Sequence, residues 1–448
     1  MKTTLKILAV LVFAMGALAA IGFFSGIIST GNSGCGVTVL PATTHATVVD
    51  ASYLRALTFM EAVESFVLNP PARASFTHDQ QAYLRALESV ESAHYYEAEP
   101  LFSELLTSED STVRNLSRKS LVEMFWVQQR WEDLVSWARS DPTLISDSIL
   151  EEGDLVCARA FETFPREEYR IPPAPFTLAT STIPSGHVMV EVEINGHKKQ
   201  FALDTGADLT VVTDDIVEEC GVEVMDQVAE SGTSTEATVE FRPGMIREMR
   251  VGDILVKNHP VYVMNGDDFE FSVAGVTIID IDGIIGLPFY MKLAVTQDFG
   301  AEQITFARPE ASAKNNINLF WFGSPLVRLT SDNGVPLVFY LDTGANRTRI
   351  TRRFIDQLSI TRARTITAEA MGAGGSQEYE ALVVDSVWLL LGTHSIFFEK
   401  VRTQINDSYG TVISEDGLMG IDVASGGAMH IDFSNGRLDL SFSKNRSE

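Results

Sequence analysis

Two aspartates stand in nearly the same seven-residue string. Residues 201–207 read F-A-L-D-T-G-A and residues 339–345 read F-Y-L-D-T-G-A, 138 positions apart. An acidic turn written twice is either two independent sites or two halves of one. The second case has a definite chemistry. Two carboxylates held about 3 Å apart do not both ionise easily, so they share a proton. The ionised member takes a proton from water while the protonated member polarises a carbonyl. Such a pair, here Asp204 and Asp342, titrates as a unit.

No other constellation competes. The eight histidines are scattered, without H-E-x-x-H. There is no G-x-S-x-G elbow and no phosphate-binding glycine loop. Metal-dependent, serine-type and phosphoryl-transfer chemistry have no residues to stand on, and no metal or cofactor is expected. The three cysteines, Cys35, Cys157 and Cys220, are neither a disulfide framework nor a zinc site. A Cys157–Cys220 bridge remains open, although buried free thiols are the preferred reading. The net charge of −26, from 34 basic and 60 acidic residues, argues against nucleic acid and against anionic membrane surfaces as electrostatic partners.

The elements that must position the two aspartates repeat as well. H-V-M-V-E-V-E-I from His187, the Asn195-Gly196 turn and K-K-Q-F-A-L from Lys198 predict a strand, a turn and a strand. The second copy has P-L-V-R-L-T from Pro325, Asp332-Asn-Gly334, and V-P-L-V-F-Y-L from Val335. Downstream lie D-G-I-I-G (Asp282 to Gly286) and D-G-L-M-G (Asp416 to Gly420), offset by 134. The halves close on Q-D-F-G-A-E-Q-I-T-F (297–306) and I-D-F-S-N-G-R-L-D-L (431–440), again offset by 134. Glycine-containing stretches occur between, at 230–236 and 371–377. Residues 187–306 and 326–442 therefore read as two copies of one domain, joined by a connection at 307–325.

This order of parts resembles the aspartic protease superfamily, and most of all its retroviral-protease-like branch, with two such domains in one chain. The residues that carry the resemblance are D-T-G-A-D-L-T from Asp204 and D-T-G-A-N-R-T from Asp342. Each is completed by apolar-apolar-Gly, Ile284-Ile285-Gly286 or Leu418-Met419-Gly420. The resemblance implies a bilobal β-barrel pseudo-dimer with Asp204 and Asp342 as its catalytic pair, hydrolysing peptide bonds in a peptide or protein substrate. It implies that Thr205 and Thr343 hydrogen-bond across the two-fold axis. The strands ending in Ile285-Gly286 and Met419-Gly420 would pass beneath the aspartate loops. Gly206 and Gly344 let the loops bend tightly beside each other, since no Cβ intrudes. Substrate contacts are expected at Ala207, Asp208, Ala345 and Asn346, with flaps at Gly232 and Gly374. Asp208 is answered by Asn346, followed by Arg347 and Arg349, which implies a cleft that is not two-fold symmetric. Pepsin-like enzymes usually carry a hydroxyl where this chain has Ala207 and Ala345, so a less acidic optimum is expected. Two alternatives stay open. One is a catalytically silent peptide-binding or scaffold protein on the same fold. The other pairs each half with its like in another chain, although the connection is long enough for pairing within the chain.

The expected fold class is multi-domain, α followed by all-β. Residues 50–165 are helical in pattern, with apolar residues at i, i+3 and i+4 between Leu116 and Trp126 and between Trp131 and Ala138. Segments such as A-H-Y-Y-E-A-E-P-L-F-S-E-L-L from Ala93 resemble degenerate tetratricopeptide units; a plain helical bundle is the other reading. A protein partner on this region, or a spacer role, is the expectation. Residues 166–186, rich in Pro and small polar residues, read as a linker. At the N-terminus, Lys2 and Lys6 precede an uncharged, largely apolar run from Ile7 to Ile28. Residues 1–30 are read as a signal peptide ending near Ala17-Leu-Ala19 or as a retained membrane anchor, with lipidation of Cys35 a third form. All three send the body of the chain out of the cytoplasm, into the periplasm or cell envelope, attached to the membrane or released.

Overall fold

The computed structural model describes residues 36–41, 57–183, 187–232, 238–266, 271–273, 276–279, 281–310, 316–372, 375–405 and 412–442. The apolar N-terminal run and Cys35 lie outside these residues, as does Gly374. Among the described residues no helix is long and apolar enough to cross a membrane.

Among the described residues, the strand Val37–Pro41 is followed by seven α-helices: α1 (Phe59–Glu64), α2 (His78–Glu91), α3 (Tyr95–Glu104), α4 (Ser111–Val127), α5 (Trp131–Ser140), α6 (Thr143–Ser146) and α7 (Glu152–Phe161). Their starts are written locally. Thr58 with Glu61 and Thr77 with Gln80 form capping boxes, and Asp110 accepts from the Thr112 and Val113 amides. The helices stack mostly on their sequence neighbours, a pattern that a repeat array and a plain bundle share. The Tyr83 hydroxyl reaches Ser120 at 2.9 Å inside their core.

The helical region packs on the β-rich part rather than standing off from it. Phe66 stacks on Phe320 at 4.7 Å, Phe102 lies 6.0 Å from Phe322, and the Trp321 amide donates to the Tyr95 hydroxyl at 2.7 Å. On the other side, Trp131, Leu155, Ala158 and Phe161 share a core with Ala207, Leu209, Val239 and Tyr262.

Each half of the β-rich part has the same plan. In the first, Val188–Ile194 and His197–Leu203 form a hairpin through Asn195 (φ 48°) and Gly196 (φ 92°), the left-handed pair that a tight primed turn requires. Gly283–Ile285 then runs parallel to Phe201–Leu203 and antiparallel to Val211–Val212. In the second, Gly417–Met419 runs parallel to Phe339–Leu341 and antiparallel to Arg349–Ile350. The closing strands of the two halves meet in one five-stranded sheet, where Ala294–Asp298 pairs antiparallel with Ala428–Asp432.

The segments read as linker and connection contribute strands. Glu168–Arg170 pairs with Leu255–Lys257, Phe176–Ala179 joins the shared sheet beside Gln303–Phe306, and Leu319–Trp321 pairs with Pro325–Val327. Short edge strands tolerate the prolines around them, and Leu319-Phe-Trp-Phe322 is apolar enough to be buried.

Candidate active site

Each aspartate caps the end of a strand and is tied to the strand beneath. The Asp204 amide donates to Ile285 O and the Asp342 amide to Met419 O, both at 3.0 Å. The Leu287 amide donates to Ala207 O at 2.7 Å and the Ile421 amide to Ala345 O at 2.9 Å. Gly286 and Gly420 lie so close under these loops that a Cβ on either would come within 2.7 Å of a carbonyl oxygen, Ala207 O or Ala345 O. Thr210 and Thr348 add a further clamp, accepting from the Gly286 amide (3.3 Å) and the Gly420 amide (3.2 Å). Both threonines stand six positions after the aspartate, so the repeated D-T-G-A-x-x-T carried the signal.

The two loops then lock to each other. The Thr205 amide donates to Thr343 Oγ1 (2.9 Å) and the Thr343 amide to Thr205 Oγ1 (3.1 Å). The hydroxyls donate onward across the axis, Thr205 to Leu341 O (2.7 Å) and Thr343 to Leu203 O (3.2 Å). This reciprocal set holds both aspartates, each only 1% exposed, in one place. A Cβ on Gly206 would sit 2.9 Å from Asp342 Oδ1 and 3.0 Å from Asp204 Oδ1, and one on Gly344 would run into the Asp204 carboxyl. Glycine at both positions is therefore a condition for the carboxyls to approach.

Two cross-lobe bonds were not read from the sequence. The Tyr340 hydroxyl donates to Gly206 O at 2.7 Å, and His187 Nε2 meets Gly344 O at 2.6 Å. Burial pushes His187 down to about 4, so its neutral ring donates to that carbonyl. Each lobe thus sends one side chain to pin the other lobe's glycine peptide. The Ala202/Tyr340 mismatch inside the repeated string was the visible trace of this. His187, at the head of a strand, gave none.

The electrostatics follow from burial. The Gly206 and Gly344 amides donate to Asp204 Oδ1 at 2.7 and 3.1 Å. Asp204 Oδ2 and Asp342 Oδ1 are buried with no hydrogen-bond partner from elsewhere in the fold. Burial raises both carboxyls above the ordinary range, and the charge of Asp204 raises Asp342 further. The pair is built to keep a proton.

Ala207 and Ala345 are buried, with their carbonyls committed to the loop scaffold. Asp208 is half-buried, and its carboxyl is raised by burial first, then by Glu123 on α4, Asp154 on α7 and Asp204. Asn346 is half-buried too. Of the following arginines, Arg347 is exposed and Arg349 buried; burial raises the Asp422 carboxyl, and its Thr348 hydrogen bonds and the charges of both arginines act the other way. Thr348 is held by Asp422 at 2.6 Å, whereas Thr210 is held by His259 at 2.7 Å, itself bonded to Glu167. Gly232 ends the Ala229–Gly232 strand, paired with Thr238; the opposite hairpin brings Gly372 to Gly375. Cys157 and Cys220 are buried free thiols.

Residues 190–289 and 327–423 each match the family model described as aspartyl protease. Both lobes belong to the aspartyl protease family. Among solved structures, the aspartic proteinase from Irpex lacteus is similar at 12% identity, covering 61% of this chain and 100% of its own, with a TM-score of 0.40. The comparison with curated proteins gives no match. The family match supports a peptidase-like function for the paired lobes.

Proposed function

We propose that this chain is an aspartic endopeptidase whose single site is made by Asp204 and Asp342. The observation that carries the reading is the reciprocal Thr205–Thr343 lock, which sets two buried carboxyls against both motif glycines. A binding scaffold has no need of either. Asp342, raised by the neighbouring charge, is the proton-bearing member, and Asp204, facing two amide donors, is the ionised one. Water between them loses a proton to Asp204 as its oxygen bonds to the scissile carbonyl carbon. Asp342 gives its proton to the carbonyl oxygen. The tetrahedral adduct collapses when the amine nitrogen takes the proton from Asp204, the C–N bond breaks and an adduct hydroxyl returns its proton to Asp342.

The proposed setting is outside the cytoplasm, with the apolar run from Ile7 to Ile28 attaching the chain to the membrane. The Lys2 and Lys6 head and the absence of Lys or Arg from there to Arg55 support that orientation. The helical region is proposed to shape the Asp208 end of the cleft. Its α7 lies against the Ala229–Gly232 hairpin arm, so closely that a Cβ on Gly153 would come 3.3 Å from the Glu230 carbonyl oxygen.

The test is cleavage of a peptide library by the full chain across pH, beside Asp204→Asn and Asp342→Asn. The wild type is expected to cleave, and each variant to lose at least about 100-fold in rate. A wild type that binds peptides but cleaves none at any pH would leave the silent scaffold as the better reading.

A further inference from the structure

Two of the large apolar side chains exposed among the described residues lie on one sheet face: Leu40 (46%) and Trp388 (38%). The strand Val37–Pro41 is responsible for the grouping. It adds to the edge of the second lobe's sheet, pairing Val37 with Phe398 and Pro41 with His394. Val37 and Val39 turn into the core, so Thr38 and Leu40 turn outward. The register then lines up two outward rows, Thr38–Phe397–Trp388 and Leu40–Ser395–Leu390. The Trp388 and Phe397 rings are 4.7 Å apart. The other face of these strands is fully used, since Leu389, Leu391, Ile396 and Phe398 are buried.

What the outward face meets is indicated by the sequence that feeds its edge strand. The apolar run ends at Ile28, and Gly36 opens the described chain eight residues later. Eight residues span at most about 30 Å. The face is therefore leashed to the end of the one segment long and apolar enough to enter a bilayer. Trp and other amphipathic rings concentrate at the bilayer–water boundary. We propose that the Leu40–Phe397–Trp388 face rests in the headgroup region of the membrane that the N-terminal segment enters, fixing the orientation of the second lobe. The proposal rests on the reading of that segment as a retained anchor. With a net charge of −26, anionic lipid offers no attraction, so the contact is apolar and its strength is expected to be insensitive to salt.

The experiment uses the full chain reconstituted into phosphatidylcholine vesicles, with brominated or ordinary acyl chains. Flotation reports whether the chain is anchored, and tryptophan emission reports what Trp388 touches. The other tryptophans, Trp126, Trp131, Trp137 and Trp321, lie in the helical region or packed under it. Brominated lipid is expected to quench Trp388's share of the emission, equally at low and high salt, and Trp388→Phe to abolish the quenching while the chain still floats. Leu40→Asp is expected to weaken the quenching without releasing the chain. A floating chain whose Trp388 is unquenched, whether the face is bare or covered by a second copy, would overturn the proposal and leave the anchor standing. A chain that does not float would overturn both, and leave the peptidase reading untouched.

Discussion

At the scale of single residues the site rests on donors and acceptors that have no freedom to be replaced. Tyr340 illustrates this, since its hydroxyl is the partner of a buried glycine carbonyl on the opposite loop. Tyr340→Phe leaves that carbonyl unpaired and is expected to cost about 1–3 kcal/mol of stability. It should also lower kcat more than it raises KM, because the loop that holds Asp204 loosens; thermal unfolding and steady-state kinetics read the two effects. The dyad itself fixes the pH profile. Activity needs one proton on the pair, so it is lost when acid protonates both carboxyls and when base removes the last proton. Burial raises both, and the window moves up with them. A kcat/KM profile is expected to peak at weakly acidic to neutral pH; a peak at about pH 2–3, as for a strongly acidified dyad, would contradict this. The aspartates and glycines were legible because the D-T-G-A string is repeated, and the role of the threonines because that string resembles a known family's motif. Tyr340 and His187 were not, because a cross-lobe hydrogen bond has no sequence spacing.

Among the elements, α7 is the one whose placement has consequences. It carries Asp154 toward the first lobe, where burial, Glu123 and Glu151 push its carboxyl up to about 8. An acid whose folded value is raised binds more protons in the native state, so stability falls as pH climbs from about 4, its unfolded value, to about 8. Asp154→Asn removes that loss. The variant is expected to match the wild-type melting temperature near pH 4 and to exceed it above pH 8. A constant difference at all pH values would mean that Asp154 titrates normally. The hairpins around Asn195-Gly196 and Asp332-Asn-Gly334 were readable because turn chemistry is local. The strands at Glu168–Arg170 and Phe176–Ala179 were not, because prolines nearby look like linker and only the neighbouring edge makes them strands. The buried run Leu319-Phe-Trp-Phe322, inside the expected connection, was a signal that the segment is not a loop.

On the scale of the whole molecule the duplication is resolved by shared structure. The closing strands of both lobes belong to one sheet, with Val295 opposite Ile431 and both fully buried. Ile431→Ala is expected to remove about 2–5 kcal/mol, with both lobes unfolding in one transition; two separated transitions in calorimetry would show independent lobes. The doubled domain was legible because its parts recur at a fixed offset. The docking of the helices on both lobes was not, since Phe66, Phe102, Phe320 and Phe322 pair across more than 200 positions. The central claim is that one chain holds one site made from its own two halves. The direct measurement is peptide cleavage by a mixture of the Asp204→Asn and Asp342→Asn chains, compared with wild type. The wild type is expected to cleave and the mixture to remain as inactive as either variant alone. Recovery of activity on mixing would place the dyad between chains and contradict the account.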